Sequence, residues 1–286
     1  MQTLKTYYKL TKPGIIRGNL FAVVAGFLLA SRGDVDIWLG IWTAIGSALV
    51  IAGGCVFNNF IDRDIDKKMT RTSKRAMPTG SISPLGALVY GAILGFFGFV
   101  VLYNFTNNLT VFVGLFGLLF YVFVYAYFKR ATEYGTLIGS ISGAIPPLAG
   151  YVAVSNEIDK GAIAVFLILV FWQLPHFYAI TIFRAREYAK AGIPVLSLTR
   201  GIKVAKYSIV AYIPVFITVS LLPYFYSLVG RPYVIIMTIA GIYWLYTAVV
   251  NFNVLDDEKW AKKVFGTSLL VLTAFTLAIF IDQNIF

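Results

Sequence analysis

The sequence predicts an all-α, polytopic membrane protein with nine transmembrane helices in a single domain over residues 1–286. Composition comes first: 59% of the 286 residues are hydrophobic and only 13% are charged, too apolar for a soluble domain with one core. Next, nine apolar segments are long enough, or nearly so, to cross a bilayer: 15–31, 38–57, 85–103, 109–128, 136–154, 162–182, 208–228, 232–250 and 265–281. Finally, with the N-terminus placed inside, 21 of the 24 Lys and Arg residues fall on the inner side, leaving Arg32, Lys160 and Arg231 outside. That asymmetry predicts a cytoplasmic N-terminus and an external C-terminus, and a missed or extra span in the middle would scramble it. The net charge of +11 therefore reads as topology and not as nucleic-acid binding.

The chain shows no polar linker, and no short apolar core followed by a small-residue cleavage site, so a cleaved signal peptide is not expected. The single cysteine, Cys55, excludes an intrachain disulfide and reads as packing. Lys12-Pro13-Gly14 opens the first span, with proline as a start signal. Asn19, about one turn inside, serves either an interhelical hydrogen bond or a polar pocket at the inner helix ends.

The second span runs into residues 58–80, where apolar sequence gives way to three aspartates and six basic residues. Asn58, Asp62 and Asp66 are spaced four apart, so on a helix they share one face, and Asp64 falls on the other side. Two carboxylates and an amide are hard oxygen ligands suited to Mg²⁺. The cations that follow, Arg71, Lys74 and Arg75, suit a diphosphate beside that metal.

A short neutral turn, 104–108, joins the third and fourth spans. The fourth ends in an aromatic stretch, 121–127, and then Lys129 and Arg130, which serve either as topology signals or to reach a phosphate at the same face. The fifth span carries Gly135, Gly139 and Gly143 for close packing, and Pro146-Pro147, which should kink or break it. The sixth carries the only histidine, His176, a functional candidate because ionisable groups in a membrane are costly. Pro175 before it should loosen the backbone and widen a cavity. Arg184, Arg186 and Glu187 follow; Glu187 is either a further metal ligand or a partner that neutralises Arg184. The two polar loops are four helices apart, which suggests a four-helix unit used twice plus a ninth helix, with both loops at the inner mouth of one central cavity. The acidic run 256–259 reads as a solvated loop.

Residues 10–14, 55–66, 69–72, 75–80, 134–136, 172–176 and 191–196 together resemble the UbiA superfamily of intramembrane prenyltransferases over nearly the whole chain, and within it the branch that prenylates heme. Asn59 stands where the wider superfamily has an aspartate, and Glu187 is the one acid left of its second aspartate-rich motif; both changes depart from the quinone-ring branches. The resemblance implies nine helices around a central cavity, with farnesyl diphosphate and heme B as substrates and one or two Mg²⁺ as cofactor. It implies Asp62 and Asp66 as catalytic residues holding metal with Asn58 and Glu187. It implies Arg71, Arg75, Lys129, Arg130 and Arg184 on the diphosphate, and His176, Trp172 and Asn19 on the heme side. His176 would either hold the macrocycle or move a proton. A bacterial plasma membrane is the expected location, from the compact chain without a targeting extension, and no nucleic-acid partner is expected. A prenyltransferase acting on a quinone precursor is the nearest alternative. A multi-pass transporter is the next, although its acids would sit closer to the bilayer midplane. A CDP-alcohol phosphatidyltransferase also uses spaced aspartates, but its companion motif is missing.

Overall fold

Prolines and short polar side chains set where the helices begin. Pro13, Pro84 and Pro232 occupy first turns, where a missing N–H costs nothing. Asp36, Ser83, Asn107 and Asp159 accept hydrogen bonds from the amides of Leu39, Gly86, Thr110 and Ala162, the usual way of satisfying the first free N–H groups. The structure is a computed structural model describing residues 2–250, 252–253 and 256–285.

In chain order the helices are α1 (Gln2–Leu10), α2 (Pro13–Ser31), α3 (Ile37–Ile61), α4 (Arg63–Lys68), α5 (Ala76–Thr79), α6 (Pro84–Phe105), α7 (Asn108–Leu119), a π-helical turn (Phe120–Tyr125), α8 (Ala126–Ala131), α9 (Gly135–Gly143), α10 (Ile145–Ser155), α11 (Lys160–Phe183), α12 (Ala185–Ala191), α13 (Leu196–Thr199), α14 (Ile202–Ser220), α15 (Leu222–Phe225), α16 (Arg231–Val249) and α17 (Asp257–Ile285). Among the described residues there is no strand, and nine stretches are long and apolar enough to cross a membrane, one overlapping each predicted segment.

Three details differ from the expectation or refine it. The fifth span does break at its proline pair, into α9 and α10. Pro175 does not interrupt α11, which runs from Lys160 to Phe183. The acidic run is not a free loop. Asp256 accepts from the Lys259 amide and Asp257 begins α17, where negative charge suits the helix N-terminus. Asp257 also pairs at 2.8 Å with Lys206, a buried lysine of α14 whose ammonium lies 4.6 Å from the Trp260 ring centre and 5.0 Å from that of Phe252. The charge of Lys206 is thus met by a carboxylate and two aromatic faces.

The helices close into a ring: α2 packs on α3 and α10, α11 on α14 and α17, α16 on α17, and α17 returns to α2. The Gln283 side chain donates to the Leu28 carbonyl across that last joint. Asp282 of α17 accepts from the amides of Gly230 and Tyr233, capping the start of α16. The α2–α10 crossing is close enough to demand glycine at two positions. A Cβ on Gly26 would lie 1.9 Å from the Pro147 carbonyl oxygen, and one on Gly150 would lie 2.1 Å from that of Val23. The same approach, backbone against backbone, recurs where Gly53 and Gly91 bring α3 onto α6.

Candidate active site

The site starts at the end of α3. The helix stops at Ile61, yet the Asp62 amide still donates to the Asn58 carbonyl (2.9 Å) and the Asp66 amide to that of Asp62 (2.8 Å). The four-residue spacing therefore survives the break into α4, and all three side chains are buried. Each meets its own basic side chain. Lys12 Nζ donates to Asn58 Oδ1 at 2.5 Å, Lys129 Nζ to Asp62 Oδ2 at 2.5 Å, and Arg75 Nη1 to Asp66 Oδ2 at 2.9 Å. Asp62 Oδ1 is buried with no hydrogen-bond donor among the described residues.

This donor set fits Mg²⁺. Two carboxylates and an amide are hard oxygen ligands, and one carboxylate oxygen is buried and unsatisfied. Among the described residues no group of three or more His, Cys, Asp or Glu could hold a metal. A magnesium ion here would fill its shell from water and phosphate oxygens, as that ion commonly does.

The other predicted residues divide. Arg71 and Arg184 have no carboxylate partner among the described residues. Burial, together with Arg75 and Arg184 close by, holds the Arg71 pKa below its usual value. Arg130 is committed elsewhere: it grips exposed Asp64 with two nitrogens (2.7 and 3.0 Å), donates to the Ile61 carbonyl, and reaches Asp62 only at 3.6 Å. It straps the end of α3. Glu187 accepts from the Arg71 amide at 3.4 Å, and Lys190 lies 3.4 Å from the Thr70 hydroxyl. Beneath them Ile65 and Met69 pack on Tyr188, Ala191, Ile193 and Val195. The two polar loops are thus one cap, and Glu187 helps join them.

Below the cap lies a cavity of about 350 Å³. Its lining runs from Lys129, Tyr188 and Pro194 down past Tyr121, Tyr125 and Phe177 to Val50, Leu102 and Ile145, with Asn19, Ser47 and Gln173 as polar points. Of the sequence-predicted residues, Asn19 and Lys129 line it; Asn58, Asp62 and Asp66 do not, and Lys129 joins Asp62 to it.

His176 and Trp172, which the sequence reading puts on the heme side, do not line this cavity. They face α17, the two rings stacked 4.6 Å apart, with Phe265 4.7 Å from His176. Ser268 gives its proton to the Phe265 carbonyl, so the His176 Nδ1–H donates to Ser268 Oγ at 2.7 Å, while the Trp172 indole donates to the Ser268 carbonyl. One residue further along α11, about 100° round the helix, Gln173 and Phe177 face the cavity instead. The sequence reading also missed Lys12, Tyr121 and Tyr125. The two tyrosine rings stack 5.4 Å apart along the π-helical turn, and π-turns often mark functional sites. The four-residue spacing of Tyr121, Tyr125 and Lys129 was a readable signal; Lys12 offered only its place before Pro13.

A family model described as the UbiA prenyltransferase family matches residues 19–276. The chain belongs to the UbiA prenyltransferase family. It is 47% identical over 279 residues to a protoheme IX farnesyltransferase of Shigella sonnei, covering 97% of this chain and 94% of that one. Among solved structures, one of a digeranylgeranylglyceryl phosphate synthase superposes with a TM-score of 0.80 at 23% identity, covering both chains completely. A UbiA homolog from Archaeoglobus fulgidus, bound to GPP and Mg²⁺, superposes with a TM-score of 0.67 at 15% identity over 96% of this chain and 99% of that one. These structural likenesses place the fold, that of a multi-pass membrane protein.

Proposed function

We propose that this protein transfers the farnesyl group of farnesyl diphosphate to a vinyl group of heme B, with water added, giving the hydroxyethylfarnesyl side chain of heme O and releasing diphosphate. The observation that carries the reading is the buried Asn58, Asp62 and Asp66, each bonded to a basic side chain, one of which, Lys129, lines an apolar cavity. The heme substrate rests on the 47% identity to a protoheme IX farnesyltransferase. Heme is substrate here, not cofactor.

An allylic diphosphate ionises only when its leaving group is neutralised. Mg²⁺ held by Asn58, Asp62 and Asp66 would supply Lewis acidity to the diphosphate oxygens. Lys129, Arg71 and Arg184 add fixed positive charge on the same group, with interactions of this kind worth about 3 kcal/mol each where water is excluded. The apolar cavity receives the farnesyl chain and keeps water from the allylic cation until the vinyl carbon has attacked. The stacked Tyr121 and Tyr125 form the wall between the charged mouth and the apolar depth. Arg75 and Arg130 hold Asp66 and the end of α3, and Glu187 holds the loop that carries Arg71.

The deciding experiment supplies membranes containing the protein with farnesyl diphosphate and either heme B or an aromatic acid, and identifies products by mass. Farnesylated heme is expected. A prenylated aromatic acid, with heme untouched, moves the protein to the quinone-precursor class. We also place it in a bacterial plasma membrane with its basic face in the cytoplasm, supported by the Lys and Arg distribution.

A further inference from the structure

Lys12 adopts a left-handed backbone conformation, φ 54° and ψ 66°. It closes the end of α1, where its amide donates to the Lys9 carbonyl, and precedes Pro13. Glycine is the common residue in such a helix-ending position, and left-handed backbone before proline is disfavoured for a residue with a Cβ. Strain of this kind persists where surrounding structure enforces it, often at a functional site. The enforcement is visible. Asn59 donates to the Leu10 carbonyl at 2.6 Å, and its neighbour Asn58 receives the Lys12 ammonium at 2.5 Å. Two adjacent asparagines thus grip residues 10 and 12, and turn Lys12 inward while Lys5 and Lys9 stay exposed.

The three pairings at the site are unequal. Lys129 and Arg75 each rest on a carboxylate, but Lys12 rests on a neutral amide. A hydrogen bond between a cation and a carboxylate is the stronger kind, so of these three paired cations Lys12 is the one most easily drawn to an arriving anion. It also sits on an oxygen that the functional reading assigns to the metal; ammonium and metal compete for it.

Resting on that reading, we propose that Lys12 is a displaceable cap on Asn58: its ammonium leaves the amide oxygen for the phosphate oxygens as a metal-bound diphosphate arrives, so that metal and diphosphate bind together and metal alone binds weakly. Lys12 is then the residue that couples the two.

The test is equilibrium dialysis of Mn²⁺ against the full chain in detergent, with and without inorganic diphosphate. It uses the wild type, Lys12→Gly and Lys12→Arg. Glycine removes the ammonium and also the backbone strain, so the variant is expected to fold. Wild type should bind Mn²⁺ about tenfold more tightly with diphosphate present, a coupling of ordinary size. Lys12→Gly should bind Mn²⁺ alone more tightly than wild type and lose most of the enhancement; Lys12→Arg should keep it. A wild-type enhancement in Lys12→Gly, or equal wild-type affinity with and without diphosphate, overturns the coupling while leaving the metal site standing. Absence of Mn²⁺ binding by wild type under both conditions overturns the metal reading and the coupling with it.

Discussion

At the scale of single residues, the proposed ligands Asn58, Asp62 and Asp66 and the histidine His176 make opposite predictions. Asp62→Asn and Asp66→Asn keep shape and remove charge. Each should cut farnesyl transfer by about 10²–10³-fold in an assay with purified protein; near-normal turnover in both would remove the metal site. His176→Ala should act on folding. It removes a buried ring packed between Trp172 and Phe265 and bonded to Ser268, at a cost of about 2 kcal/mol. Its melting temperature should fall while binding of farnesyl diphosphate, followed by calorimetry, persists. Unchanged stability with lost heme product would restore the heme-side role. The trio was legible because its signal is local: four-residue spacing that hydrogen bonds carry across the helix break. The direction in which His176 faces is set by Ser268, 92 residues away, so its rarity in a membrane segment could mark it as a candidate but could not say which way the ring points. Lys12 was invisible for the same reason, since Asn58 lies 46 residues on.

At the scale of helices, length and apolarity located all nine spans, and the proline pair located the break between α9 and α10. What the sequence does not contain is which glycine meets which helix. Within α2, Gly18 and Gly26 look alike in sequence. Gly26 has the Pro147 carbonyl where a Cβ would go, whereas Gly18 has nothing within 4 Å. Gly26→Val should therefore force α2 off α10 and cost about 3 kcal/mol. Gly18→Ala should be tolerated, or stabilise by about 0.5 kcal/mol through the lost freedom of the unfolded chain. Thermal melts of the two purified variants check this contrast. Equal effects would mean that the α2–α10 contact is not as close as described. Because α10 also carries the lining residues Ile145, Pro146 and Ala149, a shifted α10 should weaken catalysis even in molecules that remain folded.

At the scale of the whole molecule, the charge pattern and the site make one argument. Asn58, Asp62 and Asp66, their three cations, Arg71 and Arg184 all lie at the end where the Lys and Arg residues concentrate. Under the proposed function the diphosphate end of the substrate approaches from that side, and the positive-inside rule predicts that this side is the cytoplasm. Cys55, the single cysteine of the sequence, is buried, so an introduced thiol can be read without interference. Lys67 is exposed beside the site on α4, and Asp34 is exposed in the turn between α2 and α3 at the opposite end. In intact cells a membrane-impermeant maleimide should label Asp34→Cys and spare Lys67→Cys until the membrane is opened. The reverse pattern would put the ligand trio on the outer side, where a diphosphate made in the cytoplasm could not reach it, and the orientation and the substrate assignment would fall together. Labelling of both in intact cells would mean mixed insertion, and the 21-to-3 division of Lys and Arg argues against that outcome.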